Sequence, residues 1–249
     1  MTAPSWQEDD PKNLSLIQGN VAQLITELRA TASARLLPTC EELCRWHARL
    51  YAGCEVPVAG YVGHFRGDPT VPELIDYEVG LGARLKDGNL EKMGVWARRV
   101  SNEMNAVLAG LNAVFAELDR RLPVGKSPST ADQILEVISF AALAHGEFLR
   151  VHPFANGNGR IARLLVAFIC LRYGLPMFLH IKPRPENDDY IRASRDSMGR
   201  PPDFNGNHTT TTAVFAHLLA EELASERVSS ASTPPTTRPS QRLRDSAGA

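Results

Sequence analysis

The sequence predicts an all-α fold, and three observations predict it. Apolar residues recur at intervals of three and four along most of the chain, the two most apolar such stretches flank one glycine-rich junction, and a single segment between Gly53 and Pro72 breaks the helical rhythm. With 249 residues, 43% of them hydrophobic, the chain is long enough to bury one substantial core, so one principal domain is expected.

The first element runs from Leu14 to Arg35, where Leu16, Ile17, Val21, Leu24, Ile25 and Leu28 form the stripe of an amphipathic helix. Leu43, Trp46, His47 and Leu50 mark a second helix. The next stretch, GCEVPVAGYVGHFRGDPTVP, is rich in Gly, Pro and aromatic residues and predicts a turn-rich excursion or short hairpin, read here as a flap. Helical spacing returns from Val95 to Leu122 and stops at Pro123 and Gly125. SPSTADQ supplies caps for a helix over Ala131 to Leu149, which is apolar around much of its circumference and therefore buried on several sides. The segment from Arg160 to Tyr173 is of the same kind and ends at Gly174. Two further helices are expected near Asp188 to Met198 and Thr210 to Ala224. Beyond Glu226 the composition turns to Ser, Thr, Pro and Arg, which predicts disorder. The expected organisation is an N-terminal helical segment (1–39), a main domain (40–226) and a disordered tail (227–249).

Composition narrows the function. Lys and Arg total 27 against 28 Asp and Glu, so no general electrostatic pull toward nucleic acid or an anionic membrane exists, and any phosphate chemistry must be local. The start, MTAPSWQEDDPKN, lacks the basic and apolar regions of a secretory signal. The longest apolar run, Ile161 to Leu171, is interrupted by Arg163 and is far shorter than the roughly 20 residues of a membrane span. Cysteines at 40, 44, 54 and 170 match neither a zinc site nor a disulfide scaffold, and a reducing cytoplasm fits them.

The junction VHPFANGNGR places His152 at the end of one buried helix and Gly157, Asn158 and Gly159 at the start of the next. Such a setting suits an anion: glycines allow close backbone approach, and free N–H groups point outward at the positive end of the helix dipole. Arg160 and Arg163, three apart, share one face of the first turn, and a guanidinium fork matches phosphate oxygens. Two cations at a helix N-terminus are locally unfavourable unless an anion arrives. His152 is placed to deprotonate a hydroxyl approaching that anion.

The stretch HPFANGNGRIAR, His152 to Arg163, resembles the signature of Fic proteins, H-x-F-x-[D/E]-G-N-G-R-x-x-R, at every specified position but one. WHARL, AGYVGHFRG, AHGEFLRVHPF and LRYGLP extend the resemblance over roughly residues 40 to 200. It implies a Fic-type helical bundle with a short β-hairpin flap, and a protein adenylyltransferase that moves AMP from ATP onto a Ser, Thr or Tyr hydroxyl of a target protein. By the same resemblance, His152 is the general base and Phe154 an anchor under the loop. Gly157, Asn158 and Gly159 form the anion hole, Arg160 meets the β-phosphate and Arg163 the γ-phosphate. The flap residues Tyr61, Gly63, His64, Phe65 and Arg66 pair through the backbone with an extended target segment. An antitoxin or a homodimer is a further partner for which the resemblance leaves room.

The departure is Asn156, which stands where the family carries an acidic Mg²⁺ ligand. An amide oxygen offers a hard cation no charge, so Mg²⁺ is expected to be held weakly and to arrive with ATP. Slower AMP transfer, transfer of a different nucleotide, and nucleotide binding without turnover all remain open. The phosphotransferring branch of the family carries Lys at the place of Gly159. Relatives also carry an inhibitory [S/T]-x-x-x-E-[G/N] helix. The nearest segment here, Leu14 to Gly19, lacks the hydroxyl and the carboxylate. It is either a coincidence or a relic in which Gln18 bonds Arg163, and weak or absent autoinhibition is expected.

Overall fold

The computed structural model describes residues 4–6, 9–84 and 90–231. Among them are seven α-helices: α1 (Leu14–Ser33), α2 (Cys40–Leu50), α3 (Val100–Arg121), α4 (Ala131–Val151), α5 (Asn158–Tyr173), α6 (Asp188–Met198) and α7 (Thr209–Ala231). Two strands, β1 (Val79–Arg84) and β2 (Leu90–Met93), pair antiparallel with Val79 opposite Met93 and Gly80 opposite Lys92. No helix among the described residues is long and apolar enough to cross a membrane.

Local sequence sets most helix limits. Thr39 caps α2 by accepting the Glu42 amide at 3.1 Å, and Thr130 caps α4 by accepting the Gln133 amide at 3.3 Å, each with Glu or Gln at the third helical position. Asn187 accepts the amides of Asp189 and Tyr190 to start α6. Gly174, at φ +70°, ends α5, with the Leu175 amide turned back onto Cys170 O at 2.9 Å.

Helix α5 is the axis of the molecule. From Ile161 to Cys170 every residue is buried, between α4 on one side and α1 on another. Phe168 meets Phe115 of α3 edge to face at 5.9 Å, and Phe115 meets Phe140 of α4 at 4.7 Å. Packing on several sides thus fixes both helices that meet at the glycine-rich junction.

Three expectations are corrected. Of the two readings of the excursion from 53 to 72, the turn-rich one holds, with short 3₁₀ helices at Ala59–Tyr61 and Pro72–Leu74, and the hairpin is corrected in place, to β1 and β2 further on. Prolines in the excursion cannot donate to a ladder, and its Tyr61, Phe65, Arg66 and Val71 are buried. The helix expected from Val95 begins at Val100, because the chain leaves β2 through a turn and the 3₁₀ helix Ala97–Arg99. Finally, α7 runs to Ala231, so residues 227–231 of the expected disordered tail are helical. Nothing in that stretch breaks a helix, whereas Pro234 follows closely. Residues 232–249 of the expected tail lie outside the described residues.

Candidate active site

The loop between α4 and α5 is built by backbone conformation first. His152 caps α4 in the left-handed region at φ 54°, a conformation that costs an L-residue about 1–2 kcal/mol. Gly157, at φ +81°, opens α5, and a Cβ there would sit 2.8 Å from the Tyr51 hydroxyl. Asn158 brackets the turn between them: its side chain accepts the Phe154 amide and donates to the Phe154 carbonyl, both at 2.8 Å. Phe154 is fully buried and stacks on His47 at 3.9 Å.

Two buried residues outside the loop hold it in place. His47 donates from Nε2 to the Asn156 carbonyl at 3.0 Å while its Nδ1 accepts the Gly63 amide at 2.9 Å, and burial pushes its pKa down to about 3. It is a neutral strut. Arg66, with no exposure, spends all five guanidinium N–H groups. Nε donates to His152 O (2.8 Å), the NH2 amine to Val95 O and Val151 O (2.9 and 3.1 Å), and the NH1 amine to Tyr77 O and Glu78 (3.3 and 3.0 Å). One side chain therefore joins the end of α4, the approach to β1 and the exit from β2. Gly94 completes this contact, since a Cβ on it would meet the His152 Cβ at 2.3 Å.

The His152 side chain approaches the Leu149 carbonyl with Nδ1 at 3.3 Å. That bond makes Nδ1 the protonated nitrogen and leaves Nε2 a free acceptor. Burial first, and the nearby Arg66 cation second, push its pKa down to about 3, so the ring is neutral. It opens on a cavity of about 410 Å³ that is also lined by Asn156, Gly157, Asn158, Gly159, Arg160 and Arg163. The Arg160 and Ile161 amides bond the Gly157 carbonyl at 2.9 and 3.1 Å, which leaves the Asn158 and Gly159 amides as those of the first turn without a carbonyl partner in the helix, at the positive end of its dipole.

Arg163 is 5% exposed and is aimed by the Tyr190 hydroxyl (3.1 Å) and the Ile181 carbonyl (2.8 Å), while its buried Nε finds no partner among the described residues. His145, neutral because burial pushes its pKa down to about 3, lies 3.0 Å from the same Tyr190 hydroxyl. The chain Arg163, Tyr190, His145 thus fixes the guanidinium without neutralising it. Arg160 pairs with Asp9 and donates to the Tyr51 hydroxyl. A second cavity of about 680 Å³ adjoins, sharing Asn156, Arg160, Arg163 and Arg184 with the first and adding Lys182. Cations and free amides facing one hollow, with a neutral imidazole at its edge, can bind a polyphosphate and accept a proton beside it.

The profile of the Fic/DOC family matches residues 38–170, more than half of the chain. The chain belongs to the Fic/DOC family. Over 70 residues it is 39% identical to "Protein adenylyltransferase Fic" of Nematostella vectensis, a stretch that covers 28% of this chain and 16% of that relative. Over 53 residues it is 45% identical to "Protein adenylyltransferase fic-1" of Caenorhabditis elegans, covering 21% of this chain and 10% of that one. The matches thus span a small part of these curated relatives. A solved Fic domain containing signaling protein from Bacteroides thetaiotaomicron aligns with a TM-score of 0.57 at 20% identity, over 84% of this chain and 70% of that one, which shows a common fold.

The Fic motif residues named from the sequence, His152, Asn156, Gly157, Asn158, Gly159, Arg160 and Arg163, all line the one cavity. Asn158 differs in detail, because its side chain braces the loop. The residues named as a target-binding flap do not form one. Tyr61 is fully buried and donates to Pro4 O at 2.7 Å, Gly63 meets His47, and His64 faces Asp68 at 2.9 Å. Phe65 packs on Phe154 at 5.0 Å and Arg66 is the strut described above. Of these, Phe65 and Arg66 support the loop from behind. Gln18 is exposed on α1 and Arg163 takes other partners, so the relic of an inhibitory helix is set aside.

The sequence reading missed Trp6, Asp9, His47 and Tyr51 as site residues. His47 and Tyr51, four apart on one face of α2 and its C-cap, carried a usable signal, since a buried helical stripe with two polar aromatics needs polar partners. Asp9 lay within an acidic start that reads as solvated surface.

Proposed function

We propose that this chain is a protein adenylyltransferase with His152 as general base. The observation that carries the proposal is the neutral His152, its Nε2 unprotonated, opening on the same cavity as the α5 amides, Arg160 and Arg163. In the proposed reaction a Ser, Thr or Tyr hydroxyl of the target gives its proton to Nε2 as its oxygen attacks the α-phosphorus of ATP. The bond to the bridging oxygen breaks and pyrophosphate leaves. Its growing charge is met, in this proposal, by the Asn158 and Gly159 amides and by the two guanidinium groups.

The residues present do not build a cation cage. The Asn156 side-chain oxygen accepts the Gly157 amide at 2.6 Å and its NH₂ donates to Asp9, and no cluster of three or more His, Cys, Asp or Glu capable of holding a metal exists among the described residues. Magnesium is therefore, in this proposal, a companion of the ATP phosphates rather than a resident of the protein. The same asparagine favours a second reading, a nucleotide-binding module with slow or no turnover, or one that takes a different nucleotide.

The target segment is proposed to add as a strand to the β1–β2 hairpin, whose Val79, Gly80 and Met93 line the cavity beside His152. A reducing, cytoplasmic setting is part of the proposal; four free cysteines support it. Incubation with ATP labelled on the α-phosphate tests the reaction. Label transferred to this chain or to lysate proteins, and lost in His152→Ala, is the expected result. Transfer of γ-label would replace it with phosphotransfer.

A further inference from the structure

A third cavity, of about 710 Å³, lies between the end of β2 and the turn that joins α6 to α7, and no step of the proposed reaction uses it. It is lined on one side by Met93 and Gly94 and on the other by Arg195, Asp196, Arg200 and Asp203. Met93 also lines the cavity of His152, and Gly94 is the residue whose missing Cβ lets the His152 Cβ approach. The two hollows therefore meet beside the histidine, and an extended chain laid along β2 reaches both.

The charges in this cavity are held apart. Opposite charges three or four positions apart close on each other at Arg99 and Glu103, at Arg120 and Glu117, and at Arg192 and Asp189. Asp196 and Arg200 have the same spacing and do not, because α6 ends at Met198 and Gly199, at φ 64° and ψ −171°, turns the chain out of the helix. Among the described residues the side chains of Arg195, Asp196, Arg200 and Asp203 take no hydrogen bond and no ion pair. Lys92, which also lines the cavity, is taken by Glu78 at 3.2 Å. The arch that carries the four charges is braced. Phe204 is buried and its amide donates to Arg200 O at 2.8 Å, the Asn207 amide donates to Asp196 O at 3.0 Å, and Ser197 Oγ lies 2.8 Å from Thr211 Oγ1. A Cβ on Gly206 would stand 2.0 Å from Ser197 O. Two guanidinium groups and two carboxylates are thus presented on a fixed backbone, as a recognition surface requires.

We propose that this cavity receives the target segment next to the modified hydroxyl, and that Arg195, Asp196, Arg200 and Asp203 select targets in which acidic and basic side chains flank that hydroxyl. The proposal rests on the transferase reading above. Unpaired charges of both signs favour a partner with the complementary pattern and repel one of uniform charge, so they act on which target is taken rather than on the nucleotide. The selected side chains are expected within about four residues of the hydroxyl, roughly 13 Å of extended chain.

Transfer of α-label from ATP to lysate proteins by the full chain, read beside its calorimetric affinity for ATP, tests this. Arg195→Glu combined with Arg200→Glu is expected to cut label on lysate proteins about tenfold, the loss of charge-assisted contacts, and to leave ATP affinity within about twofold. Arg195→Lys combined with Arg200→Lys keeps both charges and is expected to keep most of the label. In a target whose modified site has been mapped, replacing the flanking acidic residues by Lys is expected to restore transfer by the Glu variant. Unchanged lysate label in the Glu variant, or a charge swap in the mapped target that restores nothing, would overturn the selecting role while leaving intact a transfer that His152→Ala abolishes. An equal fall in ATP affinity would place the two arginines in the nucleotide site and also overturn it. A fall confined to label on this chain would make a second copy the occupant, and the target role would again fail. No label from wild type with ATP, UTP, GTP or CTP would remove the transferase reading itself and the target cavity with it.

Discussion

Replacing Arg66 separates two roles that look alike in sequence. If the residue met a target peptide on an exposed flap, Arg66→Ala would leave folding untouched. The structure instead has its guanidinium holding four backbone carbonyls, those of His152, Val151, Val95 and Tyr77, along with the Glu78 carboxylate. Each carbonyl left without its donor costs about 1 kcal/mol, so the loss is about 4 kcal/mol, less whatever entering water restores. Arg66→Lys supplies one ammonium with three donors on a different geometry and is expected to recover less than half of that. Urea unfolding at pH 7.5, with the m-value compared between variants, measures the loss directly. A cost below about 1 kcal/mol for Arg66→Ala, or full recovery by Lys, would refute the strut and return Arg66 to the surface.

Gly94→Ala places a Cβ 2.3 Å from that of His152 at φ +75°, and is expected to cost about 2 kcal/mol and to cut label transfer more than tenfold with far-UV circular dichroism unchanged; unimpaired transfer would show that the hairpin does not seat the histidine. At the far end of α5, Asp119→Ala strips a carboxylate from Arg172, whose side chain is fully buried, and from Arg35 and Tyr173. It is expected to cost about 3 kcal/mol in urea unfolding without changing transfer per folded molecule. His47 and His145 are both buried and pushed down to about 3 from 6.5. The unfolded chain therefore takes up protons below pH 6.5 that the folded chain refuses, and stability, full above that pH, falls as pH drops toward 3. At pH 5.5 the two together should have lost about 3 kcal/mol relative to pH 7.5, and equal urea midpoints at those pH values would contradict their neutrality.

The helices were legible because burial imposes a period: α1, α2, α5 and α6 fall within a few residues of where their apolar spacing and caps put them. The hairpin was not. Val79-Gly-Leu-Gly-Ala-Arg has glycines where alternation would show, so its strand character is weak in the sequence, although Asp87-Gly88 is a turn dipeptide. The glycines and arginines of the motif loop were legible as one cluster, and they do line one cavity. What holds it was not, since Arg66 reaches His152 across 86 positions and Asp9 reaches Arg160 across 151, and such pairings have no local period. An aromatic and basic run, Tyr61 to Arg66, looks the same in sequence whether it faces a partner or the protein's own interior.

The proposed activity rests on one histidine, and intact mass tests it most directly. Wild type, incubated in turn with ATP, UTP, GTP and CTP together with a lysate, is expected to yield a chain or a lysate protein heavier by one nucleoside monophosphate, and His152→Ala none. A gain that survives in His152→Ala, or no gain from any of the four nucleotides, would contradict His152 as the base of a nucleotidyl transfer.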